Sequence, residues 1–305
     1  MKLDTHVHTR HSGSTSLWPL RQVMRESYNT PERVYALAKA RGMHLVAITD
    51  HDEISGAVAL AGRPDVVVGS EVTAVFPGDG VRVHLNVFGL DAAMHAEVQR
   101  LRLDIQRLLP FLRQHALFTS LNHVASGING PLRAAHVAAI LPWIDGLETR
   151  NGSRLAVQNR TAECLALAAG KAMLGGSDSH TERGIGRTWT EVPGATTVEG
   201  FFEGLRRGEG RVHGRHGSIG TMSSDIVRFA SSLFAEQTVD AVRAPLTLRA
   251  PAVACASVVG LPLLGVALGV GVLHFIHEQR FNRDLLFDLL SRRHEARPLP
   301  VELAA

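Results

Sequence analysis

The chain has 305 residues, 45% of them hydrophobic and 20% charged, which suits one large globular domain or two smaller ones. Aromatic residues make up only 5%, too few for a base-stacking surface, and two distant cysteines, Cys164 and Cys255, give no disulfide framework. The net charge of +3 comes entirely from residues 206–305; residues 1–205 carry 20 basic and 20 acidic side chains, which disfavours a long polyanion groove.

The opening MKLDTHVH holds no apolar run, so no secretory signal is read there. Seven β-branched runs then follow in chain order: 3–8, 45–51, 66–74, 81–90, 117–124, 144–151 and 172–180. Several are continuously apolar, as strands buried on both faces are. Helical stretches separate them. Thr30 before Pro31 caps one that stops at Gly42. Asp91 opens a long one that Pro110 should kink or break. Ser153 caps a third that ends at Gly170, and Thr196 with Glu199 makes a capping box for a fourth. Strands alternating with helices imply parallel pairing, and seven of them predict an α/β fold, a seven-stranded β/α barrel.

Beyond the barrel the composition changes. Residues 1–210 form the predicted domain. Residues 211–245, beginning in a Gly, Ser and His-rich loop, form a linker with one helix. Residues 246–305 contain 27 residues, 250–276, without Asp, Glu, Lys or Arg. As a helix this run is long enough for a bilayer core, and its four glycines and Pro262 are tolerated in such spans. A candidate transmembrane anchor is the expectation; a buried hairpin broken at Pro262 is the alternative. A basic amphipathic tail, read as a solvated face, completes the chain. The barrel would then lie in the cytoplasm, anchored through 250–276, or be cytoplasmic and soluble if that run is buried.

The chemistry lies at the carboxyl ends of the strands. His6 and His8 share one face of the first strand, because side chains alternate with a period of two. His11 follows on the loop. The second strand ends in Asp50 and His51, the third carries Glu71, the fourth His84, the fifth His123, and the seventh Asp178 and His180. In a β/α barrel these positions converge on one mouth. A single such histidine is most often a hydrogen-bonded rim residue; seven histidines and two acids at the same place are not. Mixed imidazole and carboxylate donors suit zinc, manganese or iron. Nine are too many for one ion and fit two or three sharing a bridging carboxylate, which suits hydrolysis of phosphate esters by a metal-bridging hydroxide. A lysine-bridged binuclear amidohydrolase centre is excluded, since no lysine lies between Lys39 and Lys171.

The motifs LDTHVHT, ITDHDEISG, the GSE of the third strand and GGSDSH, with VHLNV and LNHV between, resemble the PHP (polymerase and histidinol phosphatase) family of metal-dependent phosphoesterases over roughly residues 1–190. The resemblance implies a distorted seven-stranded barrel. It implies a first metal held by His6, His8, Glu71 and Asp178, and a second bridged through Glu71 to His84 and His123. His11, His51 and His180 would hold a third, with Asp50 orienting a ligand imidazole. Arg150 and Arg187 are candidates for catalysis, and Arg10 and Arg183 for holding substrate phosphate. A small phosphomonoester or nucleotide is the expected substrate. The alternatives are an exonuclease on short oligonucleotides and a non-catalytic, metal-stabilised sensor module tethered to a membrane.

Overall fold

The computed structural model describes residues 1–14, 25–60, 62–127, 130–221 and 275–291, with isolated positions at 224, 225, 227, 228, 231, 269 and 273. The strands are β1 (Lys2–Leu3), β2 (Val46–Ile48), β3 (Val66–Val75), β4 (Arg82–Phe88), β5 (Phe118–Leu121), β6 (Gly146–Asn151), β7 (Ala172–Gly176), β8 (Thr188–Glu191) and β9 (Arg211–Gly214). The helices are α1 (Pro31–Ala40), α2 (Ser55–Val58), α3 (Ala92–Leu101), α4 (Ile105–Gln114), α5 (Ala134–Ile140), α6 (Ala156–Ala169) and α7 (Val198–Arg206), followed by α8 through residues 275–291.

An α/β architecture holds, with strands β2 to β7 side by side in one six-stranded sheet. The expectation of all-parallel strands does not: β4 is antiparallel to both β3 and β5. The reason lies in the connection. Only six residues separate Val75 from Arg82, and a parallel return needs a crossover of roughly a dozen or more. The segment FPGDGV supplies hairpin chemistry instead, with Gly80 at φ 74°.

The first predicted strand is split. Lys2–Leu3 pairs antiparallel with β8, and β8 with β9, in a separate three-stranded sheet. Its continuation, residues 5–8, lies between the two edges of the main sheet. Asp178 N donates to His6 O at 2.8 Å and His8 N to Ser179 O at 3.2 Å on the β7 side. Thr49 N donates to Val7 O at 2.9 Å on the β2 side. The H-x-H stretch therefore bridges β2 and β7 at their carboxyl ends.

The core forms in layers. On the outer face, α4 buries Ile105, Leu108, Leu109 and Leu112, the i, i+3, i+4, i+7 stripe of an amphipathic helix. Beneath the sheet, Phe201 and Phe202 of α7 pack with Leu3, Phe88, Phe118 and Leu174, and this plug closes the end opposite the histidines. Each such ring contributes roughly 2–3 kcal/mol by burial.

Several helix ends differ from expectation. Pro110 sits inside α4 without ending it; the break falls earlier, where Asp104 accepts from Gln106 N and opens α4. The cap of α7 is Thr197, whose hydroxyl accepts from Gly200 N, and not Thr196. Ser153 does not cap α6: its hydroxyl donates to Ser177 O and Asp178 O, and Gln158 accepts from Leu155 N instead. Residues 211–214, read as the start of a linker, are β9.

Among the described residues no helix is long and apolar enough to cross a membrane. Most of the candidate span 250–276 and most of the predicted linker helix lie outside the described residues. The tail helix α8 is not simply solvated. Leu285 and Asn282 are buried, Phe281 packs on the core, and Asp288 Oδ2 accepts from Ala134 N, the first residue of α5, at 2.7 Å.

Candidate metal centre

Glu71, in the middle of β3, is 1% exposed and ringed by imidazoles. Its two oxygens face different sets. Oε2 lies 3.2 Å from His6 Nε2, 3.3 Å from His8 Nε2 and 3.2 Å from His51 Nδ1. Oε1 lies 3.3 Å from His84 Nδ1 and 3.0 Å from His123 Nε2, and accepts from Asn122 Nδ2 at 2.9 Å. Asp178 closes the far side, its Oδ1 3.5 Å from His8 Nε2 and 3.4 Å from His180 Nε2. His6, His8, Glu71, His123 and Asp178 are buried, while His51, His84 and His180 are partly exposed, so the cluster opens to solvent on one side.

The local chain is built to hold these groups. His123 and Asp178 both have positive φ, 26° and 49°, a costly conformation for residues with a Cβ. Each is pinned by its own N–H: His123 N donates to Glu148 Oε2, and Asp178 N to His6 O. Two motif glycines answer to close approach. A Cβ on Gly176 would lie 2.8 Å from His6 N, and one on Gly56 would lie 2.1 Å from Asp50 Oδ2.

Electrostatics tie the cluster together. Burial pushes the Glu71 and Asp178 carboxyls up, but His6 and the other imidazoles outweigh it and hold both well below the usual carboxylate range. Burial likewise disfavours charge on His6 and His8. Glu71, Glu148 and Asp178 reverse this at His6, raising it well above its ordinary value, and Asp178 and Glu71 raise His8 to about 9. His51 and His123 stay lowered, with burial the largest cause.

Donor atoms within 4.8 Å of one another form four groups among the described residues: His6, His8 and Glu71; His6, His123 and Asp178; His51, Glu71 and His84; and His8, His51 and His180. Eight of the nine expected ligands thus come together. His11 does not join them: its Nδ1 lies 2.8 Å from Ser55 Oγ, and His8 takes its place beside His51 and His180. His84 and His123 both stand against Glu71 Oε1, and His123 also groups with His6 and Asp178. The donor chemistry fits divalent ions. Imidazole nitrogens that face each other, such as His6 and His8 Nε2 at 3.0 Å, need either shared protons or a cation between them.

Asp50 acts at one remove. It accepts from Thr9 N, Thr9 Oγ1 and Ser12 Oγ, and the Ser12 hydroxyl lies 3.1 Å from His8 Nδ1. Among the described residues, none of the four expected arginines pairs with Glu71 or Asp178. Arg150 Nη1 donates to Gly214 O, because a bulge between Glu148 and Arg150 breaks the alternation of β6. Arg183 donates to Thr221 O and pairs with Asp225, while Arg10 and Arg187 are exposed.

Two contributors escaped the sequence reading. Glu148 Oε1 lies 2.8 Å from His6 Nδ1, a carboxylate fixing the ring from behind. Its signal was present: an acid inside the sixth strand, placed mid-strand as Glu71 is in β3. Arg154 Nη2 donates to Asp178 Oδ2 at 3.3 Å. It stands on the loop after β6, where strand-end periodicity does not reach.

Comparison with known proteins agrees with this architecture. Residues 157–209 match the PHP-associated family model. An uncharacterized protein of Methanocaldococcus jannaschii is 35% identical over 91 residues, 28% of this chain; the match spans about half, 52%, of that relative's length. Two solved structures share the fold. PsfC from Pseudomonas syringae aligns with a TM-score of 0.55 at 16% identity, over 76% of this chain and 98% of its own. A two-domain protein from Bacteroides vulgatus, described as containing a predicted PHP-like metal-dependent phosphoesterase, aligns with a TM-score of 0.53 at 20% identity, over 74% and 69%. The resemblance to the PHP family thus stands on the PHP-associated segment as well as on the fold.

Proposed function

We propose that the chain is a metal-dependent phosphoesterase with a multinuclear centre built around Glu71, acting on a small phosphomonoester or nucleotide. The observation that carries this reading is the placement of Glu71, whose two oxygens face separate histidine sets as a bridging carboxylate must. His6, His8, His51, His84, His123, His180 and Asp178 are the remaining proposed ligands, for two or three ions of zinc, manganese or iron. Bound ions supply a water acidic enough to ionise near neutrality and neutralise charge on a phosphoryl group.

The protein groups have distinct tasks. Glu148 holds the Nδ1 side of His6, leaving Nε2 aimed into the cluster. Asp50 and Ser12 do the same for His8. Arg154, which donates to the proposed ligand Asp178, would hold a phosphoryl oxygen.

Full-length protein loaded with manganese should hydrolyse an aryl phosphate and lose this activity on chelation. Changing groups behind a ligand typically costs ~10–100-fold, so His8→Ala and Asp178→Ala should each cost at least ~100-fold. His11→Ala, on Ser55 and outside the donor groups, should cost less than about tenfold by the same scale. A chelator-insensitive rate, or no turnover across a panel of mononucleotides, sugar phosphates and short oligonucleotides, would sink the proposal.

A further inference from the structure

Helix α8 touches Gln158, whose other hydrogen bonds fall on segments that flank the metal centre. Glu278 is 3% exposed and, although 120 residues away in sequence, accepts a hydrogen bond from Gln158 Nε2. Gln158, itself buried at 3%, has two further tasks. Its Nε2 donates to Ala125 O at 3.2 Å, on the loop just after His123. Its Oε1 accepts from Leu155 N at 2.9 Å, directly after Arg154. The same loop packs on α8 at Gly127, where a Cβ would stand 2.8 Å from His277 Nε2. A narrow cleft lined by Arg154, Gln158, Ser218, Phe275 and Glu278 marks where these segments meet.

We propose that Glu278 is a positioning residue, which through Gln158 fixes both the loop carrying His123 and the loop carrying Arg154 into α6. A buried carboxylate demands donors, and the Gln158 amide is one. With Glu278 in place, the Gln158 rotamer is set, and its other two bonds fall on the segments flanking a ligand and its arginine. The docked tail is thereby part of the machinery that shapes the centre. Its effect on turnover rests on the phosphoesterase reading; its effect on the chain does not.

Hydrogen exchange on the full-length protein tests this. Glu278→Ala should speed exchange about tenfold in peptides covering 123–127 and 153–158, the factor expected from losing one charge-assisted bond. Glu278→Gln, whose amide oxygen still accepts, should stay near wild type, as should β8 and β9 in every variant. Should Glu278→Ala fail to fold, Gln158→Glu serves: it keeps the acceptor for Leu155 N and sets like charge against Glu278, and the same local pattern is expected. With manganese and an aryl phosphate, Glu278→Ala should lower kcat/KM about tenfold, mostly through KM, and Glu278→Gln should restore it. Unchanged exchange in both disruptive variants overturns the proposal. Raised exchange in a protein that turns over no phosphoester would keep the positioning role and discard the proposed activity.

Discussion

His6 and His8 have no exposed surface, yet neighbouring carboxylates favour the proton on each, raising His6 well above its ordinary value and His8 to about 9. Glu71 and Asp178 are held ionised by the same contacts. Protons on these rings occupy the nitrogens a metal would need, so metal uptake must expel them. Protein stripped by chelation should therefore release protons on binding manganese or zinc, and bind them more tightly as pH rises from 6 to 9. Calorimetry in buffers of different ionisation enthalpy reads the release directly. Uptake without proton release, or affinity independent of pH, would mean that the ions bind elsewhere. At this scale the sequence was informative about identity and less so about direction. Strand position picked out the eight of nine expected donors that converge, and the same reading extends to Glu148, inside β6 as Glu71 is inside β3. It could not tell that the Ser55 hydroxyl lies within 2.8 Å of His11, or that a bulge turns Arg150 toward Gly214.

Elements whose signal is local were legible. Thr30 caps α1 through Arg33 N, and Gly170 ends α6 at φ 61°. Pairing direction was less so, because alternating strand and helix suggests parallel returns until loop length is counted. The six residues between β3 and β4 were the missing clue. Pro110 misled in the other direction: the buried stripe of Ile105, Leu108, Leu109 and Leu112 runs past it and keeps α4 helical, and the helix break fell at Asp104, a capping residue. The end of α4 carries its own test. Ala116, exposed just past the helix, has φ 52°, a position glycine fills without cost. Ala116→Gly should raise stability by about 1 kcal/mol in urea unfolding with an unchanged slope. A destabilised variant would show that the backbone there is not held in the left-handed region.

On the scale of the molecule, one end of the sheet is plugged by phenylalanines from α7 and the other is lined by histidines and acids. The 5–8 stretch joins its edges, and α8 docks from outside against α5 and α6. That docking was invisible in the sequence: charge and periodicity mark a helix as amphipathic, but only a partner such as Gln158 or the α5 terminus shows which face is covered. The proposed activity depends on Glu71 bridging ions that the converging imidazoles hold. Crystals of the full-length protein grown with manganese, with anomalous diffraction collected at the manganese edge, test that claim most directly. The account predicts at least two anomalous peaks flanking Glu71, each within bonding distance of one of its oxygens and of the histidines that face it. A single peak away from Glu71, or none at full manganese loading, would contradict it.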